Sequence, residues 1–270
     1  MRFQDRIVFI TGAASGMGLA TARAFSAEGA VVFGADTSAE NLDRDFAALP
    51  GARPVPLDVA DSAAVRAAFA RVDDEFGRLD VLVNAAGVNA PNQAALDRLN
   101  AENEKGFLAA KEGRRHVPEF LEETSDEDFD RTLRINLHGP FYTTRAAAPL
   151  MKRAGGGAIV NFSSSAALMG IAMPAYYPSS KAGLLGLTRA CAAELAPFSI
   201  RVNALAPGAV DTPLLRQNDA EFNEFLVGMQ PIERAATPEE VAASVLFLAG
   251  DEGAYYTGQT FSPSGGLVMH

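Results

Sequence analysis

The 270-residue chain has one cysteine, Cys191, no tryptophan and three histidines, His116, His138 and His270. A lone thiol closes no intrachain disulfide, and none of the histidines stands in an HExxH or CxxC setting, so neither a disulfide scaffold nor a metal site is expected. Basic residues are outnumbered, 23 against 33 acidic ones, for a formal net charge of -10. That balance excludes nucleic acid and anionic membrane as partners, because binding to arrays of phosphate needs a basic face. No apolar run approaches the roughly 18 residues that span a bilayer. The start, Met1-Arg2-Phe3-Gln4-Asp5-Arg6, lacks the apolar stretch and small-residue cleavage site of a secretory leader. A cytoplasmic protein is expected. What the chain does have is 48% hydrophobic against 21% charged residues, enough to bury a large core.

Short β-branched runs alternate with longer segments of helical period. This is the pattern of an α/β fold, a Rossmann-type doubly wound parallel sheet with helices on both faces. Strands are expected at Arg6–Thr11, Ala30–Ala35, Pro54–Val59, Leu79–Asn84, Ala158–Ser163, Ile200–Leu205 and Gly258–Ser262, and seven strands in one sheet make residues 1–270 one domain. Helices are expected at about Gly16–Glu28, Ala39–Ala48, Ser62–Phe76, Asp126–Arg153, Tyr176–Leu195 and Pro238–Ala249. One stretch breaks the rhythm. Val88–Thr124 runs 37 residues without a strand, whereas connections beyond about 15 residues are usually functional or disordered. Helical character at Ala94–Glu104 and Phe107–Gly113 makes it a helical flap, either a lid or a surface decoration.

After the first strand comes Thr11-Gly12-Ala13-Ala14-Ser15-Gly16-Met17-Gly18, running into a helix. Glycines spaced in this way let the backbone turn sharply, approach a pyrophosphate and pack the helix on the sheet, while the helix N-terminus offers free N–H groups to the phosphates. A purely structural turn is the competing reading. The second strand leads to Asp36, 24 residues beyond Gly12, close to the spacing of about 20 at which a carboxylate accepts from an adenosine ribose. Asp36 would repel a 2′-phosphate, and neither Thr37 nor Ser38 beside it supplies a compensating cation. NAD is therefore the expected cofactor, unless Asp36 is only a solvated acid at a strand end. Asp58 and Val59 close the third expected strand, where the Asp58 carboxylate would accept from the adenine amine or else merely begin a helix.

Further along, Asn84-Ala85-Ala86-Gly87 closes the fourth strand, Asn136 sits in Ile135-Asn136-Leu137, and Ser164 follows the fifth strand. Tyr177 and Lys181 stand four apart, and Pro207-Gly208-Ala209-Val210-Asp211-Thr212 follows the sixth strand. Together with the TGxxxGxG turn, these motifs in this order resemble the short-chain dehydrogenase/reductase family over nearly the whole chain, Val88–Thr124 excepted. The resemblance implies an alcohol dehydrogenase or carbonyl reductase that moves a hydride between NAD(H) and a secondary alcohol or ketone, with Asn136, Ser164, Tyr177 and Lys181 catalytic. It also implies cofactor contacts from Gly12, Ser15, Gly16, Met17, Gly18, Asp36, Asp58, Val59, Asn84, Ala85, Gly87, Tyr177, Lys181, Pro207, Gly208, Val210 and Thr212, the last at the nicotinamide carboxamide. A homotetramer is implied too, paired through Asp126–Arg153 and Tyr176–Leu195, with the Gly266–His270 tail at a second interface.

The chemistry of these residues agrees. Tyr177 and Lys181 at i and i+4 share a helix face. The ammonium would lower a phenol pKa that is ordinarily near 10, making Tyr177 the proton donor in reduction and the acceptor in oxidation. Ser164, thirteen residues before Tyr177, would hydrogen-bond the substrate oxygen, and only that spacing separates it from Ser163 and Ser165. Lys181 would also hold the ribose hydroxyls. The resemblance implies that Asn136 keeps a water near the lysine; the competing reading is a polar residue that stabilises a helix bend. Tyr176 has Ser180 rather than a lysine four residues on and reads as a packing residue. The chain departs from the family at Pro178, directly after Tyr177, which is expected to distort the helix start. It departs again at Ser262-Pro263-Ser264-Gly265-Gly266, where the family commonly has an acid before the glycines. Pro213–Ile232, rich in leucine and phenylalanine, would cover either substrate or core. Two other functions are compatible with these motifs: a 3-oxoacyl thioester (acyl-carrier-protein) reductase, which favours NADPH, and an NAD-binding sensor without turnover.

Overall fold

Strand β1 (Ile7–Thr11) is buried along its whole length because its two faces feed two separate cores. Val8 and Ile10 point into one, Ile7 and Phe9 into the other, the period of two expected of a strand covered on both sides. The computed structural model describes residues 1–269, leaving His270 of the expected interface tail outside the described residues. The other strands are β2 (Val31–Asp36), β3 (Ala52–Pro56), β4 (Val81–Asn84), β5 (Gly157–Phe162), β6 (Ile200–Leu205) and β7 (Thr260–Phe261). All pair in parallel in the order β3-β2-β1-β4-β5-β6-β7. The order reverses between β1 and β4, and the crevice beyond the ends of those strands is where such sheets take ligands.

The helices are α1 (Gly16–Ala27), α2 (Ala39–Asn41), α3 (Ser62–Phe76), α4 (Gln93–Lys111), α5 (Phe120–Glu123), α6 (Asp126–Leu133), α7 (Gly139–Ala154), α8 (Tyr176–Leu195), α9 (Ala220–Gly228) and α10 (Pro238–Ala249). On one face α1 and α10 bring Leu19, Phe25, Val241 and Val245 against Val8 and Ile10. On the other, α3, α7 and α8 supply Phe69, Leu150 and Leu195, and Phe69 stacks on Phe9 with ring centres 4.4 Å apart. Each such side chain contributes about 1.5–3 kcal/mol on burial, and the two layers together hold the strand ends in place. Among the described residues no helix is long and apolar enough to cross a membrane.

Several boundaries differ from expectation, each for a local reason. β3 stops at Pro56 rather than Val59, because the Asp58 carboxylate turns to accept the Ala60 N–H at 2.9 Å. β7 is shorter than expected at its front, where Gly258 adopts a left-handed φ of 71°. The expected helix Ala39–Ala48 is α2 followed by a π turn, Leu42–Phe46, that lays the Phe46 ring over Gly34. Likewise Asp126–Arg153 is α6 and α7 joined by a π turn at Arg134–His138. The two short helices expected after β4 are one helix, α4, continuous through Gly106. Pro178 does not break α8. It lies in the first turn, where a missing N–H costs little; Tyr177 N–H closes on Pro174 O at 3.2 Å and Ser179 N–H on Ala175 O at 3.1 Å, so the start is tightened rather than displaced.

Candidate active site

The turn after β1 is closed so tightly that only bare backbone fits. A Cβ on Gly18 would lie 2.0 Å from the Gly12 carbonyl oxygen, and one on Gly12, where φ is 69°, would lie 2.8 Å from Ala86 N. Ser15 is the N-cap of α1, yet its side chain caps no N–H, so the first-turn donors are left for an anion. Thr11 Oγ1 accepts from Ala85 N and Ala86 N, each at 3.1 Å, and so ties the end of β4 to the end of β1. Over this floor opens a cavity of about 540 Å³ lined by Gly12, Ser15, Gly16, Met17, Gly18, Asp36, Asp58, Val59, Ala85, Gly87 and Thr212. Asp36 is fixed by the backbone: Oδ1 accepts Ser38 N–H at 3.0 Å and Oδ2 accepts Ala14 N–H at 3.2 Å. Each oxygen keeps a lone pair for a ribose hydroxyl. Glycine cradle, open helix terminus and terminal carboxylate fit a dinucleotide.

Asn84 does not belong to this wall. It is buried, its Nδ2 donates to Asn161 Oδ1 at 2.8 Å, and its Oδ1 accepts from Thr143 Oγ1 at 2.6 Å. Asn161 in turn donates to Thr188 Oγ1. The side chain expected to touch the cofactor instead pins β4 to β5 and α7, and through Asn161 to α8.

A second cavity, of about 180 Å³, is bordered by Ser164, Tyr177, Pro207, Gly208 and Val210, and it shares Met17, Asn89, Thr212 and Leu214 with the first. Ser164 Oγ accepts the Ala166 N–H at 3.2 Å, which leaves its own O–H free to donate. Ser163 is already committed, donating to the Lys181 carbonyl at 2.9 Å; this separates the two serines on structural grounds. Lys181 Nζ lies 5.9 Å from the centre of the Tyr177 ring and donates to Phe162 O at 3.0 Å. The lysine is only 5% exposed and has no acid partner among the described residues, and burial drops its pKa to about 8. Burial also pushes the Tyr177 phenol up, opposed only in part by the Ser164 hydroxyl beside it. The expected lowering of the phenol is therefore corrected: burial raises it, and the group that offsets the rise in part is Ser164 rather than Lys181.

A family model described as short chain dehydrogenase matches residues 6–223. The chain belongs to the short-chain dehydrogenase family. It is 38% identical over 273 residues to a 3-oxoacyl-acyl-carrier-protein reductase of Thermotoga maritima, with 100% of both chains covered. It is 37% identical over 273 residues to a D-threitol dehydrogenase of Mycolicibacterium smegmatis, covering 99% of this chain and 95% of that one. A solved structure titled as the crystal structure of gox2181 superimposes with a TM-score of 0.84 at 28% identity, over 98% of this chain and 96% of its own. The protein is thus an oxidoreductase acting on CH–OH groups with a nicotinamide cofactor.

In this short-chain dehydrogenase, Asn136 is fully buried and Lys181 nearly so, both directly beside Gly87 of the first cavity. Asn136 lies in the π turn, a helix irregularity frequent at functional sites. Its Oδ1 accepts Val88 N–H and its Nδ2 donates to Val88 O, both at 2.9 Å; Nδ2 also donates to Ser180 Oγ at 3.1 Å. Gly87 is wedged between this amide and the lysine, since a Cβ there would meet Nζ at 3.0 Å and Asn136 Oδ1 at 3.2 Å. Asn136 thus clamps the loop that leaves β4 against the helix carrying the acid–base pair. The sequence reading missed Asn89, Leu99 and Asn103 at the second cavity and Gln93 and Leu96 at the first. Their signal was present: Leu96, Leu99 and Asn103 recur at helical spacing along one face of α4. Leu214, Leu215, Phe222 and Leu226 border the second cavity, while Phe225 is exposed.

Proposed function

We propose that this dehydrogenase uses NAD(H) to interconvert a neutral, largely apolar secondary alcohol and its ketone. One observation carries the reading: two cavities of opposite character meet at Met17 and Thr212. The first holds the Asp36 carboxylate, and the second presents the Ser164 and Tyr177 hydroxyls among apolar walls on which, among the described residues, no charged side chain stands. When bound, the nicotinamide would accept or supply the hydride. In reduction, Tyr177 donates its phenolic proton to the substrate oxygen and Ser164 donates a second hydrogen bond to the same atom. A phenol raised by burial stays protonated at neutral pH, the form that reduction needs. In oxidation it takes the proton back. Lys181 would hold the ribose hydroxyls, and Asp36 would hold those at the adenosine end.

Tyr177→Phe tests this directly. Reduction of a panel of ketones with NADH is expected to fall by about 10²–10⁴ in kcat/KM, with NADH binding unchanged by fluorescence; undiminished turnover would remove Tyr177 from the role. A second reading, reduction of a 3-oxoacyl thioester, is favoured by the 38% identity to the Thermotoga maritima reductase. It calls for turnover of an acetoacetyl thioester with a strong preference for NADPH, and that result would displace the first reading. We also propose a cytoplasmic homotetramer, with Phe141 on α7 and Phe198 just beyond α8, 42% and 44% exposed, as apolar surface for pairing. Light scattering gives the mass.

A further inference from the structure

Asn103 carries an amide without a partner. It borders the second cavity from α4, and none of the described residues hydrogen-bonds either end of its side chain, while Nδ2 is shut off from solvent. Turning the amide over changes nothing, because whichever atom occupies the shielded end is equally unpaired. A position closed to water is closed to a ligand oxygen of the same size, so the end of the amide that a ligand can reach is the other one, which is open and likewise unpaired. Two more amides, Asn89 and Asn218, border the same cavity and reach each other only at 3.5 Å. The remaining wall is largely apolar, with Met169, Met173, Leu214, Phe222, Leu226 and Met229. A carboxylate or phosphate would lose its hydration there without compensation. A neutral oxygen would find amide partners.

The position of this amide is held from outside the cavity. Asn100, one turn earlier on α4, donates to Gln217 O at 3.1 Å, and Lys111 pairs with Glu221 at 2.8 Å. Between these ties, Phe107 packs against Phe222 and Phe225 with ring centres 6.5 and 6.0 Å apart. An amide fixed in this way discriminates between substrates, because a ligand lacking the matching oxygen leaves it unpaired. We propose that Asn103 is a specificity-determining residue, and that the substrate carries a second neutral oxygen, hydroxyl or carbonyl, which Asn103 hydrogen-bonds while Tyr177 serves the reacting one. This inference rests on the second cavity being the substrate site of the ketone reductase proposed above.

The test uses pairs of hydroxyketones and their deoxy analogues, with the hydroxyl moved carbon by carbon away from the carbonyl, reduced at saturating NADH by the wild type, Asn103→Leu and Asn103→Gln. The wild type is expected to favour one hydroxyketone over its deoxy partner by about 10- to 100-fold in kcat/KM. Asn103→Leu should lose that preference, chiefly through KM, while reducing the deoxy analogue at least as well, and Asn103→Gln should recover part of it. NADH binding by each variant, read from fluorescence, reports an intact fold. Equal hydroxy-to-deoxy ratios in the wild type and Asn103→Leu would overturn the assignment and leave the ketone reductase standing. Failure of the wild type to reduce any ketone would overturn the reductase reading itself, and the role of Asn103 with it.

Discussion

Removing the charge of Asp36 should change which dinucleotide the enzyme uses. The carboxylate is half-buried and gripped at both oxygens by the N–H groups of Ser38 and Ala14, so it cannot swing away from an incoming 2′-phosphate. Two unit charges about 4 Å apart repel by about 1 kcal/mol in bulk water and about 4 kcal/mol at an effective dielectric near 20. Discrimination against NADPH is therefore expected at about five- to a thousandfold in kcat/KM. Asp36→Asn is a poor probe, since its NH₂ group would face one of the two backbone donors and leave that donor unpaired. Asp36→Ser removes the charge without this conflict. It should recover most of the lost NADPH activity and lower that with NADH by about ten- to a hundredfold, the worth of a hydrogen bond to a charged group. Steady-state kinetics with both cofactors on one ketone give the ratio. A wild-type enzyme that used NADPH as well as NADH would show that a cation offsets the phosphate. An unchanged ratio in Asp36→Ser would show that the carboxylate does not reach the ribose. Either result refutes the argument.

Lys181 is charged below pH 8 or so and neutral above it, so NADH affinity measured by titration calorimetry should be flat on the acid side and weaken as pH rises through that value; Lys181→Met should abolish the break. The unfolded chain holds this proton up to the ordinary lysine value near 10.4, so the lysine's contribution to stability should rise with pH between about 8 and 10.4, as seen in urea melts against Lys181→Met. Gly18→Ala would drive a Cβ to 2.0 Å from a backbone oxygen; it should destroy NADH binding and lower Tm, and an unchanged Kd would show that the turn has room. Thr237→Ala removes the N-cap of α10, whose Oγ1 accepts Glu240 N–H at 3.3 Å, and should cost about 1 kcal/mol in urea unfolding. The Arg234 guanidinium and the Thr237 N–H hold the Glu240 carboxyl at about 2, so that link should persist above pH 4.5 and be lost only as pH falls toward 2.

The parts of this molecule legible in the sequence are those where one local constraint admits few residues. The glycine turn is legible because its closure excludes side chains, and β1 because five successive positions are buried. Asn84 was misplaced because its partners Asn161 and Thr143 lie 77 and 59 residues away, and the motif alone does not say which way the amide points. The Tyr177 and Lys181 spacing correctly puts the pair on one helix face, but spacing carries no information on desolvation, which decides both pKa values. The gap between the expected helices Ala94–Glu104 and Phe107–Gly113 holds Gly106, and an interior glycine costs about 1 kcal/mol in propensity. The helix continues because Phe107, next in sequence, packs on α9, and tertiary packing routinely overrides so small a preference.

The two cavities differ in how they are made, and this decides how freely each can change. The first is shaped by backbone: glycines that admit no side chain, first-turn N–H groups, and a carboxylate held by two amides. Each lies at the end of a strand, so the sheet that fixes the strands fixes the cavity. The second is shaped by side chains on α4, on the loops after β5 and β6, and on α9, none of which belongs to the sheet. Apart from Met17 and Thr212, which it shares with the first cavity, its walls can change without disturbing the phosphate turn, but not independently of one another. Phe107 of α4 rests on Phe222 and Phe225 of α9, and Lys111 pairs with Glu221 across the same seam, so moving either helix moves the other. The position of Asn103 is therefore a joint property of α4 and α9, and a substitution that shifts α9, such as Phe222→Ala, is expected to move the amide with it.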